Sequence, residues 1–289
     1  MNPYAELLAE WFVAHGRDLP WRRSDVTPWG VLVSEVMLQQ TPAARVIPAW
    51  ESWMETWPEP EDCADALPGE VIRAWGRLGY PRRALRLHES ARIIVEQYGG
   101  VVPDSDQTLK TLPGIGDYTA AAVVAFAYGG RSLVLDTNVR RVIARVHTGE
   151  ALPTPHLTAG ERCLGYELLP SDTKESVIWN QAAMELGALI CRVKNPNCEK
   201  CPLSDLCQWR TAGYPTDLYA GQRKAQGYEG THRQARGRIL ALLREAEGEL
   251  VPIETLMVLP STDLLLAEAI ESLVADGLAV REDEALRLP

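Results

Sequence analysis

Residues 112–120 read Leu-Pro-Gly-Ile-Gly-Asp-Tyr-Thr-Ala, a short stretch that indicates the fold only together with the other motifs of the chain. Two glycines separated by one residue stand immediately before an apolar helical run. Such a turn brings backbone N–H groups to the surface at a helix N-terminus, where an anion can bind. The stretch therefore predicts a helix–hairpin–helix connection in which Gly114 and Gly116 face an anion.

On both sides of this hairpin, apolar residues recur at spacings of three and four, and period-two alternation is almost missing. This spacing is typical of amphipathic helices, and the breaks between the runs contain proline and glycine. The pattern predicts a mostly α-helical protein. Its expected helices are Tyr4–Ala14, Trp29–Gln40, Ala43–Trp57, Gly69–Arg77, Arg82–Tyr98, Thr119–Tyr128 and Val139–His147.

The composition changes after Cys207. Residues 213–230 are rich in glycine, tyrosine and polar side chains, as expected of a linker. Residues 231–289 combine two amphipathic helices with a short hairpin, which predicts a small winged-helix-like α+β module. Its expected elements are the helices Arg236–Ala246 and Asp263–Asp276 and the strands Leu278–Val280 and Ala285–Leu288.

Charge is distributed unevenly along the 289 residues, whose net charge is −10. Glu245–Pro289 contains eleven acids and two arginines, so the remainder of the chain is close to neutral. Ile72–Arg92 contains six arginines and one acid, and Thr231–Arg244 contains four arginines and no acid. Local basic patches of this kind can hold a phosphate backbone, although a solvated helix face has the same composition.

Nothing in the sequence indicates a membrane protein. No apolar run reaches the ~18 residues that a membrane-spanning helix needs, and the first residues lack the pattern of a signal peptide. We therefore expect a soluble and cytoplasmic protein. We also expect a monomer.

Four of the six cysteines, Cys191, Cys198, Cys201 and Cys207, fall within one short segment. In a cytoplasmic protein such clustering indicates a metal site rather than disulfides. The wide gaps on either side of the close central pair favour a [4Fe-4S] cluster, which takes four thiolates. Structural zinc and the absence of any metal are the alternatives. Arg192, Lys194 and Asn195 lie in the first gap, where a bound cluster would direct them towards phosphate.

Two carboxylates are distinguished by their surroundings. Glu35 interrupts the apolar run 31–38, and Asp136 precedes a predicted helix, twenty residues after Gly116. Burial raises the pKa of a carboxyl, so a buried glutamic acid keeps a proton that it can donate. One protonated and one ionised carboxyl form the pair that cleaves a glycosidic bond. The alternatives are a Glu35 that reaches solvent or pairs with an arginine, and an Asp136 that only caps its helix.

Taken in order, these motifs resemble those of the helix–hairpin–helix DNA glycosylases that carry an iron–sulfur cluster, specifically the MutY adenine glycosylases. The resemblance extends from about Leu7 to Trp209. It rests on the hairpin, on the four cysteines and on the motifs Leu19-Pro20-Trp21-Arg22, Ser34-Glu35-Val36-Met37-Leu38-Gln39-Gln40-Thr41, Leu78-Gly79-Tyr80 and Leu135-Asp136-Thr137-Asn138-Val139.

This resemblance implies a six-helix barrel over residues 24–134 and an iron–sulfur domain formed by residues 1–23 and 135–212. The implied partner is double-stranded DNA, with the substrate base flipped out of the duplex between these domains. The implied reaction is hydrolysis of the N-glycosidic bond of adenine mispaired with 8-oxoguanine or guanine, within base excision repair. The implied cofactor is a [4Fe-4S] cluster on the four cysteines.

The resemblance also assigns roles by position. Glu35 would protonate the adenine ring, and Asp136 would stabilise the positively charged sugar or bond to it transiently. Asn138 and Tyr118 would support them in the active site. Around the adenine the matching residues are Arg22, Leu38 and Gln181. At the opposing base they are Gln40, Thr41 and Tyr80, and along the DNA backbone they are Gly114, Gly116, Arg192 and Lys194.

The sequence departs from related families at three points. Bifunctional endonuclease III-like enzymes carry a nucleophilic lysine where this chain has Tyr118, so we expect a monofunctional glycosylase. Thr137 replaces a glycine that is common in MutY proteins. Residues 231–289 show no pattern of the MutT-like domain that often reads 8-oxoguanine. The module therefore either substitutes for that domain or offers its acidic part to a protein partner.

Two other functions fit parts of the sequence. A related mismatch glycosylase would remove thymine from the same barrel with a different pocket, but Glu35 followed by Gln39-Gln40-Thr41 argues against it. A non-enzymatic DNA-binding or scaffold protein would not need Glu35 and Asp136, since buried carboxylates without chemistry cost stability.

Overall fold

The structure, a computed structural model, describes residues 3–223 and 227–289. Within these ranges the chain is mostly helical, which confirms the predicted fold class. No helix in the described ranges combines the length and the apolar character needed to cross a lipid bilayer. The α-helices of the described chain before the C-terminal module are α1 (Pro3–His15), α2 (Pro28–Leu38), α3 (Ala43–Thr56), α4 (Pro60–Asp65), α5 (Pro68–Trp75), α6 (Arg82–Tyr98), α7 (Asp106–Leu109), α8 (Asp117–Tyr128), α9 (Thr137–Ile143), α10 (Ala159–Leu168), α11 (Thr173–Leu189) and α12 (Gln208–Thr211).

The C-terminal module adds three helices and a small sheet to the described part of the chain. They are α13 (His232–Glu245), β1 (Val251–Pro252), α14 (Ile253–Met257), α15 (Asp263–Ala275), β2 (Val280–Glu282) and β3 (Ala285–Arg287). The strand order is β1-β3-β2 and both pairings are antiparallel, with Leu286 opposite Val251 on one side and Arg281 on the other. This order of helices and strands is that of a winged-helix-like module.

The described residues fall into two compact units. The first comprises the described residues up to Val31, Asp104–Lys110 and Ile115 onwards to Arg223. The second comprises Leu32–Pro103, Thr111–Gly114 and the residues from Gly227 to Pro289. The predicted domain boundaries stay predictions, and residues 224–226 of the predicted linker 213–230 lie outside the described residues.

The core of the first unit forms where α1 and α9 pack against α11. Leu8, Val139, Trp179 and Leu186 are buried there. Asn180 on α11 is fully buried and binds the segment before α9, because its Oδ1 accepts from Val134 N at 3.1 Å and its Nδ2 donates to the Ser132 carbonyl at 2.8 Å. These bonds fix the segment that leads into Asp136.

The core of the second unit joins the C-terminal module to α5 and α6. Ile239, Leu273 and Leu286 of the module pack in one cluster with Ile72 of α5, and Leu85 of α6 lies against the same cluster. A module of this size is near the lower limit for independent folding. The shared core supplies the additional buried apolar surface that the module needs.

The structure differs from the sequence-based elements at several boundaries, among them the end of α2 and the start of β2. Helix α2 ends at Leu38 rather than Gln40, because Gln40 adopts a left-handed backbone conformation with φ of 58°. Strand β2 begins at Val280 rather than Leu278, which is buried just after the left-handed Gly277. Gln40 therefore lies in a turn and not on the helix that carries Glu35.

Candidate active site

Glu35 is a buried carboxyl in the second unit. Its helix α2 is apolar on nearly every side, and Leu32, Val33 and Met37 are fully buried around it. The glutamate itself is only 3% exposed. Burial of an ionisable side chain lowers the stability of the protein unless hydrogen bonds or opposite charges compensate. The apolar residues on either side of Glu35 in the sequence already predict this burial.

Arg83 ties together the two loops that follow α2 and α5. It is only 8% exposed and donates to both loops at once. Its Nη1 donates to three carbonyl oxygens at the end of α2, those of Val36 at 2.7 Å, Met37 at 3.1 Å and Gln39 at 2.6 Å. Its Nη2 donates to Thr41 Oγ1 at 3.1 Å and to the Gly79 carbonyl at 3.0 Å.

Thr41 completes this connection between the loops. The side chain is buried, and its hydroxyl donates to the Leu78 carbonyl at 3.1 Å while accepting from Arg83. The hydroxyl thus holds residues 39–41 against residues 78–80. Its predicted contact with the opposing base stays a prediction.

Gln40 and Tyr80 lie at the tips of the two connected loops. Both adopt left-handed backbone conformations, with φ of 58° and 47°, and both are exposed. Such conformations are unfavourable for residues other than glycine and cluster at functional sites. The Arg83 guanidinium lies 5.6 Å from the centroid of the Tyr80 ring. The hydrogen bonds of Arg83 form a brace between residues 39–41 and 78–80. This brace holds Gln40 and Tyr80, the two residues predicted to contact the opposing base, in strained and exposed conformations.

Sequence reasoning missed the role of Arg83. It belongs to the basic run 72–92, whose arginines were expected at a phosphate contact or on a solvated face. Burial lowers the pKa of its guanidinium to about 10, which leaves the side chain charged at neutral pH. That run contains seven charged residues, and the sequence does not indicate that Arg83 is the buried one.

Asp136 is the N-cap of α9 in the first unit. Its Oδ1 accepts from Val139 N at 2.6 Å, and its Oδ2 accepts from Asn138 Nδ2 at 2.8 Å. The side chain is partly buried, and burial raises the pKa of this carboxyl, while the hydrogen bonds from Val139 and Asn138 and the charge of Arg141 oppose that rise. Asp136 therefore caps the helix while Asn138 orients its carboxylate, and its role towards the sugar stays a prediction.

Arg141 connects this carboxylate site to the cysteine segment. Its Nη2 donates to Asn138 Oδ1 and to the Gly187 carbonyl, each at 2.7 Å, and its Nε donates to the Cys191 carbonyl at 2.7 Å. A Cβ at Gly187 would lie 2.6 Å from Asn138 Cβ, so only glycine permits this approach of α11 to α9. The orientation of Asn138 thus depends on the residues that precede the first clustered cysteine.

The four clustered cysteines line one cavity. All four are free thiols, and Arg145 and Trp209 share the cavity wall. Arg145 is almost fully buried, donates from Nη1 to Cys191 Sγ at 3.4 Å and lies 4.2 Å from the Trp209 ring centroid. Burial, together with the neighbouring thiols, raises the pKa of Cys201 to about 12.

The donor chemistry of this cavity fits an iron–sulfur cluster. Four thiols and no carboxylate line it, and thiolates are the usual ligands of such clusters. In residues 3–223 and 227–289, no three His, Cys, Asp or Glu side chains are arranged to hold a single metal ion. Arg145 could not be recognised from the sequence, since an arginine on a helix is ordinarily solvent-exposed.

The loop from Cys191 to Cys198 presents two cations to solvent. Arg192 and Lys194 are exposed, as the sequence predicts for phosphate contacts. Asn195 has a φ of 50°, and its carbonyl accepts from Arg192 Nη2 at 3.1 Å. The cavity of four cysteines therefore determines where this short basic loop begins and ends.

Arg22 forms an ion pair in the first unit. Its Nη2 donates to Glu185 Oε2 at 2.9 Å, and Arg17 donates to the same carboxylate from its Nε at 2.5 Å. Glu185 is 1% exposed. Burial tends to raise its pKa, but the hydrogen bonds and charges of Arg17 and Arg22 hold the pKa below its ordinary value. Gln181, one turn earlier on α11, is half-buried.

The remaining predicted residues occupy the hairpin and its neighbours. Gly114 has a φ of 82°, and a Cβ there would lie 3.1 Å from Arg86 Cδ, so the turn and its packing both favour glycine. Gly116 is the N-cap of α8, and Tyr118 is half-buried in the first turn of that helix. Leu38, also half-buried, is the last residue of α2. The assignment of these residues to substrate or DNA stays a prediction.

Comparison with known proteins agrees with this architecture. Residues 33–162 match the family model of the HhH-GPD superfamily of base excision DNA repair proteins. The adenine DNA glycosylase of Mycobacterium tuberculosis is 47% identical over 274 residues, which cover 95% of this chain and 89% of that protein. The chain therefore belongs to the adenine DNA glycosylase (MutY) family and is a DNA glycosylase.

Two solved structures share the fold. A thermostable thymine-DNA glycosylase aligns with a TM-score of 0.64 and 30% identity, over 72% of this chain and 95% of the other. Endonuclease III in a non-covalent DNA complex aligns with a TM-score of 0.62, over 73% of this chain and 94% of the other. At 23% identity, the second likeness supports the fold alone.

Proposed function

We propose that this protein hydrolyses the N-glycosidic bond of adenine mispaired with 8-oxoguanine, or with guanine, in duplex DNA. The observation that carries the proposal is the contrast between two carboxyls, the nearly inaccessible Glu35 and the oriented Asp136. Two carboxyls in different surroundings are what acid-assisted cleavage of a glycosidic bond requires. The names of the relatives point to the same substrate base.

In this proposal each carboxyl acts on a different part of one flipped nucleotide. Glu35 donates its proton to N7 of adenine, so that the base departs as a neutral molecule when the C1′–N9 bond breaks. Asp136 stabilises the positive charge that develops on the sugar, and Asn138 keeps its Oδ2 in place. A water molecule then adds to C1′ and releases a proton. Preorganised charge of this type supplies several kcal/mol of transition-state stabilisation.

We also propose that the enzyme is monofunctional. The first turn of α8 carries Asp117 and Tyr118, and no lysine, at the position of the lysine nucleophile in bifunctional relatives. Without an amine, the sugar cannot be captured as a Schiff base. Borohydride treatment of a reaction on adenine-containing duplex tests this point, since efficient covalent trapping of the protein would contradict it.

The central experiment compares adenine release by the wild-type chain and by Glu35→Gln under single-turnover conditions. The substrates are duplexes with adenine opposite 8-oxoguanine, guanine or thymine. We expect Glu35→Gln to lower the excision rate by at least about 100-fold, the range for loss of a general acid, with little change in DNA affinity. Glu51→Gln on α3, an exposed glutamate of the same unit, is the matched control.

The same experiment separates the proposal from thymine excision, which the likeness to a thymine-DNA glycosylase suggests. A duplex with thymine opposite guanine is included for this purpose. Release of thymine without release of adenine would replace the proposed substrate. Full activity of Glu35→Gln on adenine would remove Glu35 from the mechanism.

We further propose that Cys191, Cys198, Cys201 and Cys207 hold a [4Fe-4S] cluster. When bound, the cluster would cross-link the segment through its thiolates and so support the exposed loop of Arg192 and Lys194. Buried thiols with raised pKa values do not ionise readily on their own, and bound metal supplies the compensating positive charge. Iron and acid-labile sulfide in the purified protein test this proposal, and zinc without iron would contradict it.

The expectations of a monomer, of cytoplasmic location near the nucleoid and of a protein partner for the acidic part of the module remain predictions. Gel filtration with light scattering measures the first.

A further inference from the structure

A basic cleft lies within the second unit, between α13 of the module and the loops held by Arg83. Its volume is about 650 Å³. One side carries the loop tips Gln40 and Tyr80, and the other carries residues at spacings of one, three and four on α13. The charged residues that line it are Arg45, Arg77, Arg82, Arg83, Arg86, His232, Arg233 and Arg236.

Several of these cations have no anionic partner among the residues that the structure describes. Across the described residues no carboxylate forms a salt bridge with Arg45, Arg77, Arg86 or Arg233, whereas Arg82 and Arg236 share Asp276 at 3.3 Å and 2.6 Å. Arg244 of α13 also lies close enough to Arg77 for the two charges to oppose each other. Such like charges repel in the free protein and favour binding of a polyanion.

Arg233 connects the module directly to one of the loop tips. Its Nη1 donates to Tyr80 Oη at 3.3 Å, and its guanidinium lies 5.3 Å from the Tyr228 ring centroid. Tyr80 is 44% exposed, and the Arg83 guanidinium also lies 5.6 Å from the centroid of its ring. The position of the tyrosine thus depends on the module as well as on the helices around it.

We propose that this cleft binds the backbone of the DNA strand opposite the excised base and that Arg233 is a positioning residue for Tyr80. The unpaired arginines hold phosphates, which fix register without reading sequence. Tyr80, kept in its outward position, then meets the opposing base. The assignment to that strand rests on the proposed glycosylase function, whereas binding of duplex DNA in the cleft does not.

The first test measures how DNA affinity depends on salt. The Glu35→Gln chain binds a duplex with adenine opposite 8-oxoguanine over a range of salt concentrations, with Arg77→Ala or Arg233→Ala added. Each lost phosphate contact reduces the slope of log affinity against log salt by about 0.9. Arg238→Ala is the matched control, because Arg238 is on α13 but does not line the cleft.

Unchanged affinity and slope in both cleft variants, equal to those of Arg238→Ala, would overturn the cleft as a DNA site. Thermal unfolding confirms that each variant is folded. This test measures DNA affinity and not catalysis. Its result therefore remains valid even if the wild-type chain releases no adenine and the proposed function is wrong.

The second test is a double-mutant cycle between Arg233→Ala and Tyr80→Phe, which removes the hydroxyl but keeps the ring. Single-turnover excision is compared for adenine opposite 8-oxoguanine and opposite guanine. We expect the excision rate on the 8-oxoguanine pair to fall about fivefold in each single variant, as for the loss of one hydrogen bond. The rate of the double variant should be no lower than that of the slower single variant. Fully multiplicative losses would show that Arg233 does not act through Tyr80.

Discussion

Both compact units use a buried guanidinium to hold a loop that carries predicted site residues, but the two loops are secured differently. In the first unit, Arg145 holds the segment after Cys191, which four thiols also border. In the second, Arg83 joins residues 39–41 to residues 78–80 with the help of the Thr41 hydroxyl, and both loop tips are conformationally strained. The proposed cluster would therefore support the first loop, whereas hydrogen bonds from Arg83 and Thr41 hold the second.

The largest effect is expected where the cofactor is lost. Cys201→Ser should abolish the cluster and lower the free energy of unfolding by about 4 kcal/mol, the contribution of a ligand present at a thousand times its Kd. Iron content and urea unfolding measure the two effects. The exposed Cys163→Ser is the control, since that thiol lies outside the cavity. A Cys201→Ser protein with wild-type stability and no iron would contradict dependence on the cofactor.

Loss of the Arg83 brace in the second unit should have the second-largest effect on stability. Arg83→Met removes the guanidinium but fills most of its volume, leaving the carbonyl oxygens of Val36, Gln39 and Gly79 without this donor. We expect a loss of about 3 kcal/mol in the free energy of unfolding and a large fall in adenine excision. Arg83→Lys should restore little of the stability or of the excision rate. A lysine ammonium cannot donate to both loops at once as the planar guanidinium does.

Iron content distinguishes this variant from the first. Arg83→Met should keep a full cluster, because every bond that it breaks belongs to the second unit. A protein that loses iron together with the brace would show that the two loops are not secured independently. Retention of wild-type excision by Arg83→Met would remove the strained loop tips from the mechanism.

Much of this comparison could be predicted from the sequence. The hairpin, Glu35 in its apolar run and the four cysteines have local signatures, because each depends on residues that are close together in the chain. The structure confirms the helical fold and the small C-terminal sheet. The buried braces have no such signature, because Arg83 and Arg145 bind carbonyl oxygens that are remote or unremarkable in sequence.

The cleft of the second unit was also beyond sequence analysis. Two basic runs, 72–92 and 231–244, are separated by more than a hundred residues, and only the shared core around Ile72 brings them together. Within the described parts of the chain, Asp276 neutralises Arg82 and Arg236, whereas Arg77 and Arg233 form no salt bridge. Composition could not distinguish these two pairs. Which arginines are available to phosphate is thus a property of packing.

A smaller effect should separate two carboxylates within the first unit. Glu185→Gln removes the charge that Arg17 and Arg22 bind, and we expect a loss of about 1–2 kcal/mol at neutral pH, since Arg17 is partly solvated. The folded-state pKa of Glu185 lies below its unfolded value. Its contribution is therefore present above the unfolded pKa and is lost as the pH falls through the folded pKa.

Urea unfolding of wild-type and Glu185→Gln proteins at several pH values measures this difference. The two stabilities should converge in acid. Glu175→Gln, at the exposed start of the same helix, is the control. A gap that persists undiminished in acid would show that the glutamate acts through packing rather than charge.

Asp136 should show the opposite sign and the smallest effect. Because burial raises its pKa in the folded state, ionisation of this carboxyl opposes folding. The stability it lends is complete below the unfolded pKa of about 3.9 and is lost as the pH rises through the folded value. Relative to Asp136→Asn, the wild-type protein should therefore become less stable from acid to neutral pH, while Asp136→Asn loses excision. A wild-type protein that instead gains stability over Asp136→Asn as the pH rises would mean that the bonds from Val139 and Asn138 outweigh burial, and that this carboxylate is a helix cap before it is anything else.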